Sequence, residues 1–267
     1  MIAINNQKVD LNTFPDKTYL LKVSPDCRHE CVITWNYESN SELFALICIV
    51  RHLRDHGINQ IELIMPYLPN ARQDRVKSDN DVFTLKYFAE IINSLNFFRV
   101  NVIDPHSSVS EALIDNIHVI RPYSIVNRII YGLEYPLLSD QSITIYYPDE
   151  GAMKRYSGGI NRPYVFGVKN RDWETGKITS LDVIGDINLI KDKTILIVDD
   201  ICSRGGTFYY SAKKLKELGA ANIYLYVTHC ENTILEGELL ESGLIDKIYT
   251  TNSIYSGDSD KIIVTSI

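Results

Sequence analysis

The sequence lacks the segments that carry a chain into a membrane or out of the cell. Its longest wholly apolar run, residues 43–50, is far too short to span a bilayer. No basic region followed by an apolar core opens the chain, and residues 1–4 have the composition of a first strand. We find no low-complexity tract and no long linker. From these absences we expect no membrane partner and no secretion signal.

Cysteine is scarce, with five residues, an odd number that does not favour a disulfide framework. Cys27 and Cys31 flank His29, but no second ligand pair follows at the spacing of a zinc site. Cys48 falls within a helical pattern and is expected in the core. Reduced thiols in a cytoplasmic setting are the simplest interpretation.

Positive charge is also in deficit. The chain has 27 Lys and Arg against 34 Asp and Glu, a formal net charge of −7. An acidic chain is a poor general binder of nucleic acid, so we expect no nucleic-acid partner. If the substrates are phosphates, the compensating charge must be local or come from a metal ion. The 267 residues, 45% of them apolar, suffice for one large or two ordinary domains with a real core.

Predicted strands and helices alternate along nearly the whole chain, which favours an α/β fold with parallel sheets covered on both faces. We predict helices over 41–56, 83–95, 123–131, 206–218 and 234–242, and strands over 61–65, 99–104, 142–147, 194–199 and 222–229, with short strands near 247 and 262. Residues 170–186 are polar and have little periodicity, which favours a mobile active-site flap.

Two predicted strands end in acidic residues, at Asp104 and at the pair Asp199 and Asp200, about ninety-five residues apart. This spacing suggests two similar α/β halves, residues 1–124 and 125–267.

The second of these strands leads into the most informative motif, Ile-Leu-Ile-Val-Asp-Asp-Ile-Cys-Ser-Arg-Gly-Gly-Thr at 195–207. Gly205 and Gly206 allow backbone N–H groups to approach phosphate oxygens, and a helix that follows adds its positive dipole end. Asp199 and Asp200 stand where a strand end can reach ribose hydroxyls. A generic strand-to-helix turn is the alternative interpretation.

This motif resembles the phosphoribosyl-diphosphate (PRPP) loop of the phosphoribosyltransferase superfamily. Four further segments occur in order around it: Met-Pro-Tyr-Leu-Pro-Asn-Ala-Arg-Gln-Asp-Arg at 65–75, Asp-Pro-His-Ser at 104–107, Pro-Asp-Glu-Gly-Ala-Met-Lys-Arg at 148–155 and Lys-Asn-Arg at 169–171. Together they resemble the ribose-phosphate diphosphokinase (PRPP synthetase) family from about residue 41 onward. An ordinary phosphoribosyltransferase carries only the loop at 199–207.

The resemblance implies two phosphoribosyltransferase-like domains, an ATP-binding half and a ribose-phosphate-binding half. It implies transfer of the diphosphate of ATP to the anomeric hydroxyl of ribose 5-phosphate, giving AMP and PRPP, with Mg²⁺ as cofactor. Two alternatives stay open. A nucleobase phosphoribosyltransferase would leave the segments at 72–75 and 104–106 without a role, and a non-catalytic regulatory relative would use the same fold without turnover.

The resemblance also assigns candidate residues. The ATP-binding set is Arg72, Gln73, Arg75, Asp104 and His106. The ribose 5-phosphate set is Asp199, Asp200, Cys202, Ser203, Arg204, Gly205, Gly206 and Thr207. Lys169 and Arg171 match a basic catalytic pair that closes over the transferred phosphates, with His106 as a third catalytic candidate. His106 and Asp149 are the metal candidates, although His106 could equally contact a phosphate or a bound water, because magnesium prefers oxygen ligands.

The chain also departs from the family's usual pattern. Residues 23–30 do not carry the Phe-Ser-Asn-type loop that a neighbouring subunit donates to the adenine pocket, and the sequence printed here ends at Ile267 without the family's C-terminal helix. We therefore expect a compact homo-oligomer, a dimer rather than the usual hexamer, without the nucleotide-regulated site between subunits.

Overall fold

The structure is a computed structural model that describes residues 1–24, 30–135, 143–171 and 178–267; for 169–171 and 178–180 only the backbone is described. The predicted roles of Cys27 and His29 therefore lie outside the described residues. The chain divides into two compact units, Met1–Arg121 and Pro122–Ile267. The predicted boundary after residue 124 falls inside the helix Tyr123–Glu134, which belongs to the second unit.

The first unit is built on a six-stranded sheet with the order β2-β1-β5-β6-β7-β8, beside a separate two-stranded sheet, β3-β4. Its strands are β1 Ile2–Ile4, β2 Gln7–Lys8, β3 Asn12–Thr13, β4 Tyr19–Leu20, β5 Glu30–Trp35, β6 Gln60–Met65, β7 Arg99–Ile103 and β8 Ile117–Ile120, and its helices are α1 Ser41–Asp55, α2 Thr84–Ser94 and α3 Val109–Leu113. Strands β5 to β8 are parallel, whereas β1 is antiparallel to both of its neighbours.

The second unit is built on a seven-stranded sheet with the order β11-β10-β9-β12-β13-β14-β15. Its strands are β9 Thr144–Tyr147, β10 Tyr164–Arg171, β11 Ile178–Ile184, β12 Thr194–Cys202, β13 Asn222–Cys230, β14 Lys247–Thr251 and β15 Ile262–Thr265, and its helices are α4 Tyr123–Glu134, α5 Glu150–Tyr156 and α6 Gly206–Glu217. Among the described strands of this sheet, the β10–β11 pair is antiparallel and the other pairs are parallel.

The central strands are buried because their side chains are apolar on both faces, as expected of parallel strands between helices. In β12, Ile195 and Ile197 pack in one cluster with Phe208 and Leu215 of α6. Leu196 and Val198, which point to the opposite face, pack in a second cluster with residues of α4 and α5. The α/β class predicted from the sequence is confirmed, with the addition of antiparallel strands at the sheet edges.

Two predicted elements were wrong. Residues 234–242 do not form a helix: a short 3₁₀ helix, Asn232–Glu236, ends at Gly237, where a side chain would lie 2.0 Å from the carbonyl oxygen of Arg204. The predicted flap at 170–186 contains β11, which pairs with β10 as a hairpin. Polar residues within this strand obscured its pattern, and residues 172–177 lie outside the described residues. Among the described residues, no helix is long and apolar enough to cross a membrane.

Candidate active site

In the first unit, the segments predicted to bind ATP follow two adjacent parallel strands. Residues 66–75 follow β6 and residues 104–107 follow β7, so both begin at the same edge of the sheet. The backbone N–H of Ile103 donates to the carbonyl of Pro66 at 3.1 Å. The Ser107 hydroxyl donates to Asp74 Oδ2 at 2.7 Å. The tertiary structure thus joins two motifs that are thirty residues apart in sequence.

Asp74 is the centre of this junction, although the motif comparison assigned it no role. Arg75 donates to both of its carboxylate oxygens, from Nε at 2.7 Å and from Nη2 at 2.9 Å. The hydrogen bonds from Arg75 and, to a smaller extent, from Ser107 lower the pKa of Asp74 to about 2. Gln73 Oε1 accepts from the Thr84 hydroxyl at 3.1 Å, and Arg72 is exposed. Arg72, Gln73 and Arg75 therefore sit on an exposed turn that Asp74 ties to the sheet edge.

Asp104 and His106 occupy different depths in the adjacent turn. Asp104 is fully buried, has a backbone φ of 45°, and donates its N–H to the carbonyl of Ile120 at 3.0 Å. Its left-handed backbone turns the chain sharply at the end of β7. His106, two residues later, is partly exposed. His106 is thus the member of the pair that is open to a ligand from solvent.

In the second unit, the acid pair lies within β12 itself rather than after it. Asp200 is 2% exposed, and its backbone N–H donates to Asp199 Oδ1 at 3.0 Å. Burial, the neighbouring Asp200 and the charge of Asp149 together raise the pKa of Asp199 well above its usual value. Burial and the charges of Asp200 and Asp149 therefore disfavour the ionised form of Asp199.

The loop after the acid pair has the backbone that a phosphate site needs. Gly205 adopts a left-handed conformation, with φ of 80°, as the N-cap of α6, and Gly206 and Thr207 form the first turn of that helix. Ser203 is partly exposed, whereas Arg204 is exposed and pairs with Glu236 at 2.9 Å. Helix N-termini and adjacent loop N–H groups bind anions well. The Arg204 side chain is engaged on the surface rather than aimed into this loop.

Cys202 differs from the other predicted members of the loop, because its side chain is buried within the sheet. It is 1% exposed and lies in register with Cys230 of β13, which is also buried. Its hydrogen bond with Cys230 and its burial raise the pKa of the Cys202 thiol well above its usual value. Cys202 can therefore contribute backbone groups to a ligand at the loop, but not a thiolate.

The remaining predicted residues lie on or beside β9 and β10. Asp149 is the N-cap of α5, and its Oδ1 accepts from the N–H of Ala152 at 3.0 Å. Lys169 and Arg171 belong to β10, beside β9, and their side chains lie outside what the structure describes. Lys169 and Arg171 thus lie on the strand next to β9, and Asp149 lies in the turn that follows β9.

Sequence reasoning missed how several polar residues support this site. Arg155 Nη1 lies 3.1 Å from Asp200 Oδ1, and His229, on β13, bonds through Nδ1 to the Ser253 hydroxyl at 2.8 Å. Burial, with a smaller contribution from the charge of Asp149, raises the pKa of the fully buried Tyr146 on β9 to about 12. Arg155 is the last residue of the motif at 148–155, which was a usable signal; the contacts of His229 and Tyr146 depend on strand pairing.

Two family models match this chain. The N-terminal domain of ribose phosphate pyrophosphokinase matches residues 1–95, and the phosphoribosyl synthetase-associated domain matches residues 172–265. The first match starts at residue 1, so the family likeness also includes the first 40 residues, where the motifs alone did not reveal it.

Full-length relatives agree with these matches. The ribose-phosphate pyrophosphokinase of Saccharolobus solfataricus is 29% identical over 99% of this chain and 90% of its own length. That of Marinomonas sp. is 30% identical over 81% of this chain and 68% of its own length. The crystal structure of phosphoribosylpyrophosphate synthetase from Mycobacterium smegmatis shares the fold, with a TM-score of 0.81 at 20% identity, over 97% of this chain and 86% of that one.

The fold and the paired acids before a glycine loop define a phosphoribosyl-type α/β protein. The chain belongs to the ribose-phosphate pyrophosphokinase family, as the sequence motifs predicted.

Proposed function

We propose that this protein is an Mg²⁺-dependent ribose-phosphate diphosphokinase. It transfers the terminal diphosphate of ATP to the anomeric hydroxyl of ribose 5-phosphate and releases PRPP and AMP. The observation that carries the proposal is the acid pair Asp199 and Asp200, which precedes the left-handed Gly205 and the N-terminus of α6 in a chain of this family. The reaction needs little covalent chemistry from the protein, so positioning and electrostatics supply most of the catalysis.

In this proposal the second unit binds ribose 5-phosphate. Backbone N–H groups at 203–207 and the dipole of α6 hold the 5-phosphate, and Thr207 adds a hydroxyl. Asp199 and Asp200 accept hydrogen bonds from ribose hydroxyls, which orients the anomeric hydroxyl. The first unit binds ATP through Arg72, Gln73 and Arg75, with His106 and Asp104 at the neighbouring strand end.

Lys169 and Arg171 are proposed to stabilise the charge that develops on the transferred diphosphate. Lys169 supplies a compact point charge, and the planar guanidinium of Arg171 can bind two phosphate oxygens at once. Both interactions are strongest where water is excluded. Their positions on β10, beside the strand that leads to Asp149, support a common role at the diphosphate.

A metal ion fits a donor of the second unit, where Asp149 offers a carboxylate near Asp199. His106, in the first unit, is a separate candidate at the proposed ATP segment. No group of three His, Cys, Asp or Glu side chains among the described residues could hold an ion alone. This suits Mg²⁺, which binds one or two carboxylates and completes its shell with water and substrate phosphates. When bound, Mg²⁺ would neutralise phosphate charge.

The assembly state and location are part of the same proposal. We propose a dimer, because residues 23–30 lack the loop that a neighbouring subunit donates in the family's usual hexamer. Light scattering after size-exclusion chromatography would check it. A hexamer that responds cooperatively to ADP would contradict it. A cytoplasmic setting stays a prediction from cysteine usage.

The experiment is to incubate the purified protein with Mg²⁺, ATP and ribose 5-phosphate and to identify products by mass spectrometry. Equal amounts of AMP and PRPP are expected. Consumption of PRPP with added nucleobases, without its synthesis, would indicate a phosphoribosyltransferase, and inactivity in both assays would indicate a regulatory relative. Chelation of the metal should abolish product formation, and added Mg²⁺ should restore it.

A further inference from the structure

The acid pair of β12 is asymmetric in its contacts. Arg155, in the last turn of α5, places Nη1 3.1 Å from Asp200 Oδ1, and the two side chains are 18% and 3% exposed. Asp199 instead accepts the backbone N–H of Asp200 through Oδ1. The structure therefore ties one of the two proposed ribose-binding carboxylates to a cation from another motif.

Arg155 is itself held in place from several directions. The Tyr123 hydroxyl donates to the Arg155 carbonyl at 3.1 Å, and the guanidinium carbon lies 5.7 Å from the ring centre of the buried Tyr156. At the other end of the same seven-residue helix, Asp149 caps the first turn. Helix α5 thus links the turn that carries Asp149 to the strand that carries Asp200.

An ion pair with one buried and one partly buried partner is sensitive to the loss of either partner. Removal of the Arg155 cation leaves the Asp200 carboxylate in a site with little water. This disfavours the charge of Asp200 and its present position. Lys154 and Glu150, on the same helix, also form an ion pair, but their side chains are 68% and 63% exposed. Such a surface pair contributes far less to stability. The geometry around Asp200 is therefore expected to depend on Arg155 in particular.

We infer that Arg155 is a positioning residue for ribose recognition, which acts by holding the Asp200 carboxylate in the orientation that receives a ribose hydroxyl. The inference rests on the proposed function, because it takes Asp200 as a ribose ligand. It differs from a direct role, in which the guanidinium of Arg155 would itself bind a substrate phosphate.

The test is a double-mutant cycle in the purified full chain, with Arg155→Met, Arg155→Lys, Asp200→Asn and the Arg155→Met/Asp200→Asn double variant. Arg155→Met should raise the KM for ribose 5-phosphate at least tenfold, change the KM for ATP less than twofold, and lower kcat by a smaller factor. Arg155→Lys should recover part of the loss, because an ammonium keeps the charge with poorer geometry. The double variant should bind ribose 5-phosphate no more weakly than Asp200→Asn alone.

The matched control is Arg162→Met, which breaks another partly buried ion pair in the same unit, with Glu134 at 2.9 Å. It should leave both KM values within twofold of wild type. If Arg155→Met does not fold, as judged by its melting curve, the comparison of Arg155→Lys with the control decides the matter.

Two results would overturn the inference. One is an unchanged KM for ribose 5-phosphate in both Arg155 variants. The other is a double variant in which the two effects multiply, which would mean that Arg155 acts independently of Asp200 on the substrate. Wild-type protein that makes no PRPP would instead refute the proposed function. Calorimetric titration of wild type and the Arg155 variants with ribose 5-phosphate separates that result from a failure of the inference, because it measures sugar binding without turnover.

Discussion

Ser107 and Asp74 are joined by a hydrogen bond of 2.7 Å that connects the turn after β7 to the turn after β6. The same Ser107 Oγ accepts from the backbone N–H of Val109 at 3.1 Å. One hydroxyl therefore organises two backbone segments that carry all the proposed ATP-binding residues. This link has consequences for substrate binding that can be measured.

Ser107→Ala should loosen the turn that carries Arg72, Gln73 and Arg75. We expect the KM for ATP to rise several-fold with little change in that for ribose 5-phosphate, and a loss of about 1 kcal/mol in the free energy of unfolding. Ser108→Ala is the matched control, because Ser108 is exposed and its side chain makes no capping hydrogen bond to α3. Equal effects of the two substitutions on the KM for ATP would contradict the prediction.

Asp74 should give the first unit a pH-dependent stability. Its pKa is about 2 in the folded chain against 3.8 for the free side chain, so folding favours the ionised form. The contribution is complete above about pH 5 and is lost as the pH falls through about 3.8 toward 2. Its size is only about 1 kcal/mol, since Arg75 is largely exposed and the pair is screened by solvent.

Urea unfolding of wild type and Asp74→Asn between pH 7 and pH 3 measures this contribution. The stability difference between the two proteins should be constant from pH 7 to pH 5 and should shrink at lower pH. A difference that widens in acid would mean that the carboxyl group is not stabilised in its ionised form.

Lys169→Ala should lower kcat by orders of magnitude and leave the affinity for ribose 5-phosphate nearly unchanged. The reason is that the proposed partner of its charge is the transition state rather than the bound sugar. Steady-state kinetics checks this, with Lys213→Ala, an exposed lysine on α6, as the control. Wild-type turnover in Lys169→Ala would remove this residue from the mechanism.

Gly167→Ala should destabilise the second unit by overpacking. A methyl group there would lie 2.3 Å from the Tyr146 hydroxyl and 2.9 Å from the Pro148 carbonyl. We expect a loss of about 1–3 kcal/mol in the free energy of unfolding. Adding Tyr146→Phe should restore part of this loss, because it removes the nearer atom. If the second substitution rescues nothing, the clash with the Pro148 carbonyl is the dominant one.

Glu42→Ala should destabilise the first unit, because this buried carboxylate accepts from Trp35 Nε1 at 3.0 Å and from the backbone N–H of Glu38 at 2.9 Å. The expected loss is about 2–4 kcal/mol, since one buried and one partly buried donor lose their acceptor. Chemical unfolding followed by tryptophan fluorescence measures it. Glu38→Ala, at an exposed position, should change the stability much less.

The α/β class, the strongly periodic helices and strands, and the family were predictable from the sequence alone, because they depend on local pattern and on motif order. The strand of Thr194–Cys202 and the helix Gly206–Glu217 were predictable for that reason. The strand Ile178–Ile184 was not predicted, because it is short and mixes polar with apolar residues, and its pairing with β10 defines it.

The contacts that support the candidate residues depend on strand pairing and side-chain burial, which the sequence pattern does not specify. The pairs Ser107 with Asp74 and Arg155 with Asp200 join residues 33 and 45 positions apart, and no local pattern specifies such contacts. The burial of the Cys202 side chain likewise depends on the register of β12 against β13. Motifs specify which residue types a reaction needs, whereas strand order and burial decide which of them reach a ligand and which hold the others in place.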